Sequence, residues 1–146
     1  MPVRHVSVSE AHELQQQGSI YVDVRSTREF ADGHPSGARN VPLLEPDEDT
    51  GQMMPNPDFM LVMQANFAPD TRLLIGCQMG GRSMRAARML DAFGFADVAN
   101  VRGGYVGAHD PTGRIIEAGW AESGLPVDDS PAQGADYQAL LAKAGE

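Results

Sequence analysis

Apolar runs too short to be helices alternate along this chain with segments of helical periodicity, and that alternation limits what the chain can fold into. Ile20-Tyr21-Val22-Asp23-Val24 reads as a strand, as do Leu73-Leu74-Ile75 and Val98 to Val101, with Asn40-Val41-Pro42 a briefer one. Ser7 and Glu10 have capping-box spacing ahead of Ala11 and Leu14, which predicts a helix from about Val8 to Gln17 closed by Gly18. Ser26 and Glu29 repeat the pattern for a short helix through Phe30 that Gly33 stops. Asn56-Pro57 opens a helix to about Asn66, and Asp136 to Ala144 reads as a terminal helix. Glu45 to Pro57 reads as a long acidic loop carrying Met53-Met54, while residues 105–120 fit no element. Helix alternating with strand predicts an α/β layer fold with a mainly parallel central sheet, whose ligands sit beyond the carboxyl ends of the strands.

One such strand end carries the chain's single cysteine. Leu73-Leu74-Ile75-Gly76 leads into Cys77-Gln78-Met79-Gly80-Gly81-Arg82-Ser83, after which Ala86, Met89, Leu90 and Phe93 recur at helical spacing until Gly94. A helix starting there points its unpaired N–H groups back into the loop, where they attract anions. A thiol in that field is expected to ionise more easily than a free cysteine, and Arg82 adds a cation within a turn of the sulfur. A cation at a helix N-terminus opposes the dipole, so Arg82 is expected to bind an anion. Asp23, Arg25, Glu29 and His34 lie close together in sequence at a strand end and are expected to pair with one another as structural support. Trp120 and Tyr105 read as packing residues.

At 146 residues the chain suits one domain, 1–130, with 131–146 as a C-terminal extension holding a short docking helix. One cysteine excludes an intrachain disulfide framework, and His5, His12 and His109 lack metal-ligand spacing, so no metal is expected. Met1-Pro2-Val3-Arg4-His5 lacks the apolar stretch of a signal peptide and no long apolar span follows, so a cytoplasmic location is expected, where a thiol stays reduced. A net charge of -9 argues against nucleic acid and anionic membranes as partners. Residues 71–116 nevertheless hold six arginines against three acids, which would draw a small anion toward the loop.

Four pieces in order resemble the single-domain rhodanese (thiosulfate sulfurtransferase) family. They are Asp23-Val24-Arg25 with Glu29-Phe30, Gly33-His34, Gly37-Ala38 and Asn40-Val41-Pro42; then Cys77-x-x-Gly80-x-Arg82-Ser83; then Asn100-Val101-x-Gly103-Gly104; and last Gly124-Leu125-Pro126-Val127. The resemblance implies a five-stranded sheet flanked by helices on both faces. It implies that Cys77 takes the sulfane sulfur of a small anionic donor, thiosulfate or a related persulfide, and passes it to a thiol or cyanide acceptor, with an acceptor protein as a further partner. Gln78, Met79, Gly80, Gly81, Arg82 and Ser83 would bind the donor, and no cofactor is implied. His34 is followed by Pro35, and the segment from Tyr105 to Gly119 is longer than in compact members of the family.

Two other functions compete. Phosphatases and arsenate reductases of the same fold resemble a Cys-x5-Arg loop, whereas four residues separate Cys77 from Arg82 here. A smaller ring of amides leaves less room for a tetrahedral phosphate ester. The other is a sulfur carrier or interaction module that hands persulfide sulfur to one partner protein.

Overall fold

A computed structural model of the chain describes residues 3–79 and 81–145. In chain order the elements are β1 (Arg4–Val6), α1 (Val8–Gln16), β2 (Ile20–Asp23), α2 (Thr27–Asp32), β3 (His34–Pro35), β4 (Arg39–Asn40), β5 (Leu44–Pro46) and β6 (Met53–Pro55). They continue with α3 (Phe59–Asn66), β7 (Arg72–Gly76), α4 (Gly81–Ala92), β8 (Asp97–Val101), β9 (Ala108–His109), β10 (Ile115–Glu117), β11 (Val127–Asp128) and α5 (Tyr137–Ala144). Five strands form the central sheet in the order β1-β8-β7-β2-β4, each pair parallel.

Side chains alternate across a strand, so a sheet buried on both faces needs apolar residues at consecutive positions. Leu73 and Ile75 of β7 join Val22 and Val98 on one face, under Val62 and Met63 of α3, Ala86 and Leu90 of α4, and Leu140 of α5. Leu74, between them, points the other way and joins Tyr21, Ala99 and Val6 against Val8 and Ala11 of α1, Phe30 of α2 and Trp120. Helices therefore cover both faces of the sheet. Both capping boxes form: Ser7 accepts from Glu10 N and Ser26 from Glu29 N, and each glutamate accepts the N–H of its serine in return.

Four places differ from the reading of the sequence, the first being β3, which pairs antiparallel with β11. Arg4–Val6 is an edge strand beside β8, too short to declare a period of two on its own. The acidic stretch expected to be loop folds as an antiparallel hairpin of β5 and β6, tied to α2 because Glu45 accepts Thr27 N at 2.7 Å. The unassigned stretch after Tyr105 contains a second small hairpin, β9 with β10, whose tip closes on Asp110 as it accepts Thr112 N and Arg114 N. At the other end α5 packs on α3, where Asn66 Nδ2 donates to Leu140 O at 2.9 Å.

Candidate active site

The chain leaves β2 toward the β4 edge and then returns to lay β7 on β2's other side, so strand order reverses between these two strands. Consistent with that reversal, α2 after β2 and α4 after β7 pack on opposite faces, Phe30 with one core and Ala86 with the other. A crevice opens between diverging connections at such a point, and ligands of parallel sheets bind there. Asp23 and Arg25 stand at the end of β2, and Cys77 stands at the end of β7.

Cys77 is only 2% exposed. Its approach from β7 requires glycine at position 76, since a Cβ there would overlap the Tyr21 hydroxyl. Burial pushes the Tyr21 phenol well above its usual range, so it stays protonated. The loop beyond the sulfur is clamped by the turn after β8: Tyr105 N donates to Cys77 O at 2.8 Å and Val106 N to Gln78 O at 3.0 Å. Gly104 permits that contact, because it adopts φ +61° and a Cβ would run into the carbonyls of Cys77 and Gln78. Met79 projects outward, 62% exposed, and Gly80 lies outside the described residues. From Gly81 the chain is helical, which sets the N-terminus of α4 just beyond the sulfur.

Asp23 and Arg25 are both buried and share a forked set of bonds, with Nη2 to Oδ2 at 2.7 Å and Nε to both carboxylate oxygens at 3.0 Å. Burial works to lower the Arg25 pKa, but the hydrogen bonds and charge of Asp23 outweigh it and the net shift is upward. The same guanidinium donates to Gly33 O and to Gln78 Oε1, and lies 4.4 Å from the centre of the Tyr105 ring. A loop side chain is thus fixed from the neighbouring strand. His34 is stacked on Phe30 with Nδ1 2.8 Å from Phe30 O, buried away from the crevice.

The structure pairs Glu29 with Arg82 and not with Arg25 or His34, so the anion that Arg82 holds is a carboxylate of the protein itself. The two make a bidentate contact, Nη1 to Oε1 at 2.7 Å and Nη2 to Oε2 at 2.9 Å. The Arg82 hydrogen bonds hold the Glu29 carboxyl down to about 2. Glu29 also caps α2 through Ser26 N, so a single carboxylate joins the starts of the two diverging helices. On either side of it lie small cavities. One of about 160 Å³ is lined by Arg25, Gly33, Gln78 and Tyr105 among others. Another, of about 390 Å³, is lined by Glu29, Arg82, Leu44 and Met53, which brings the β5–β6 hairpin to the site.

Ser83 is fully buried, so its hydroxyl faces the thiol and not an open subsite. Cys77 Sγ donates to Ser83 Oγ at 3.4 Å, and Ser83 Oγ donates to Asn100 Oδ1 at 2.6 Å. Asn100 is not a site residue on the reading of the sequence alone. Its signal there is a polar side chain inside the strand Asp97-Val98-Ala99-Asn100-Val101, facing the same way as Val98. Among the described residues no cluster of His, Cys, Asp and Glu could hold a metal, and no helix is long and apolar enough to cross a membrane.

The sequence matches the model of the rhodanese-like domain over residues 7–110. It is 38% identical to thiosulfate sulfurtransferase 16, chloroplastic, of Arabidopsis thaliana over 122 residues, which cover 84% of this chain and 90% of that protein. It is 28% identical to thiosulfate sulfurtransferase GlpE of Haemophilus influenzae over 129 residues, 88% of this chain and 97% of that one. Among solved structures, that of Rv0390 from M. tuberculosis superposes with a TM-score of 0.73 at 22% identity, covering 89% of this chain and all of that one.

Proposed function

The chain belongs to the rhodanese-like family, and from that premise we propose that it is a sulfurtransferase working through a persulfide on Cys77. In the first half-reaction the Cys77 thiolate attacks the outer sulfur of thiosulfate or of a related persulfide. An S–S bond forms to Sγ while the donor's own S–S bond breaks, and sulfite or a thiolate leaves with the electron pair. In the second, an acceptor thiolate or cyanide attacks the outer sulfur and expels Cys77 as thiolate. The attacking thiolate, the donor and the persulfide are all anionic, which suits amides at the N-terminus of α4.

The observation that carries this reading is the position of the chain's only cysteine, at the strand-order reversal with α4 starting just beyond it. Thiosulfate carries two charges and a persulfide one. Gln78 and Met79 are uncharged and Arg82 is already paired, which favours the less charged donor. The reading sets the reaction in a reducing compartment such as the cytoplasm. Steady-state kinetics test it with thiosulfate, with glutathione persulfide, and with mercaptopyruvate, whose C–S bond would break in place of an S–S bond and release the enolate of pyruvate. Turnover with at least one donor that disappears in Cys77→Ser is expected, and no turnover with any of them would overturn the enzymatic reading.

A second reading, delivery of the sulfur to one partner protein, is favoured by the apolar side chains exposed around the site. Met79 on the loop is joined by Met53 and Met54 on the hairpin, 41% and 48% exposed. Flexible methionines suit adaptable protein contacts. Capture of a protein by the persulfidated form but not by Cys77→Ser, with poor turnover of small thiols, would separate this reading from the first.

A further inference from the structure

The hydrogen bonds that begin at Cys77 do not end at Asn100. Asn100 Nδ2 lies 3.3 Å from Nδ1 of His5, its register partner on the edge strand β1. Cys77, Ser83 and Asn100 are each at most 2% exposed, whereas His5 is exposed. A file of polar groups therefore crosses the core from the sulfur to the surface. We propose that His5 is a positioning residue for Cys77, and that gain of a proton at His5 reverses the direction of this file so that Ser83 donates to an anionic sulfur.

Ser83 has one hydroxyl proton, and in the observed arrangement it goes to Asn100 Oδ1 while the thiol donates to Ser83. For Asn100 Nδ2 to donate to His5, Nδ1 must be an acceptor, which requires neutral imidazole with its proton on Nε2. Every donor in this file points away from the sulfur, which suits a thiol and leaves a thiolate without the Ser83 proton. An imidazolium carries a proton on Nδ1, which can no longer accept. The Asn100 amide then turns, its Oδ1 accepting from His5 and its Nδ2 donating to Ser83 Oγ. That releases the hydroxyl proton to the sulfur. One proton leaves Sγ and one joins His5, both exchanged with water, and the three groups between them only rotate. The persulfide, also an anion, is held in the same way.

The charges around each end are fixed by pairs of their own. Near His5, Arg102 donates to its carbonyl and is shared between Glu117 and Glu10, while Arg4 is paired with Asp97. Near Cys77 stand the Arg82–Glu29 and Arg25–Asp23 pairs and the protonated Tyr21.

This inference rests on the sulfurtransferase reading for its purpose, but it is tested without a sulfur donor. The probe is iodoacetamide, whose reaction is unambiguous because Cys77 is the only cysteine. His5→Lys keeps a donor only and His5→Asp an acceptor only. At neutral pH the Lys variant is expected to alkylate about tenfold faster than the Asp variant, the worth of one charge-assisted hydrogen bond. In a Ser83→Ala background that difference should vanish; should this variant fail to fold, Asn100→Leu breaks the same file. Equal rates in the two His5 variants would overturn the proposal. So would a difference that survives loss of the Ser83 hydroxyl, since that is the mark of charge acting through space. Coupling observed in a protein that transfers no sulfur would instead overturn the function and leave the relay standing.

Discussion

Arg82 stands in the first turn of α4, where a cation opposes the helix dipole, and the compensation is a carboxylate from another helix. Glu29 is thereby ionised in the folded protein well below the pH at which it protonates in the unfolded chain. A depressed carboxyl stabilises fully above its unfolded value and loses that contribution as pH falls through the range between the two. Glu29→Gln is therefore expected to be less stable than wild type at neutral pH by about 1–2 kcal/mol, solvent screening included, with the gap closing as pH drops from about 4.5 toward 2. Thermal unfolding of both proteins across that range checks it. The same pair sets the charge beside the loop. Glu29→Gln leaves Arg82 uncompensated and should lower the KM for thiosulfate about three- to tenfold, whereas Arg82→Ala leaves a bare carboxylate and should raise it. Opposite signs in steady-state kinetics are the distinguishing result.

Among the elements, the turn after β8 acts on the site without supplying a side chain to it. Gly104→Ala should displace the carbonyls of Cys77 and Gln78, and is expected to cut kcat/KM at least tenfold while circular dichroism stays native. By contrast Leu140→Ala on α5 should cost about 2–4 kcal/mol of stability in denaturant unfolding and leave the activity of the folded protein unchanged, because its contacts lie against α3, away from the crevice. The elements legible in the sequence were those with their own local rules. Capping boxes marked α1 and α2, apolar runs marked β2, β7 and β8, and Asp136 marked α5 by accepting Ala139 N. Those that escaped depend on a distant partner. Arg4-His5-Val6 is a strand only because β8 lies beside it, and Leu44–Pro46 with Met53–Pro55 form a hairpin whose anchor, Glu45, binds the start of α2. The site divided in the same way. A strand–cysteine–glycine–helix order is visible in one stretch, but the choice of Glu29 for Arg82 spans 53 residues and that of His5 for Asn100 spans 95.

For the molecule as a whole, folding redistributes a charge that looked local. Three of the six arginines in residues 71–116 find partners outside that stretch: Arg82 takes Glu29, Arg102 takes Glu117, and Arg72 donates to Gln17 O. The charge beside the buried thiol is thereby held in pairs, Arg82 with Glu29 and Arg25 with Asp23. If sulfur passes through Cys77 as a covalent intermediate, intact-protein mass spectrometry detects it. After incubation with thiosulfate or glutathione persulfide and removal of excess donor, the protein should gain the mass of one sulfur atom. Cys77→Ser should gain none, and a thiol acceptor added to the loaded protein should return it to its starting mass. Sulfur transfer at full rate with no mass gain, or an equal gain in Cys77→Ser, would rule out a Cys77 persulfide as the intermediate.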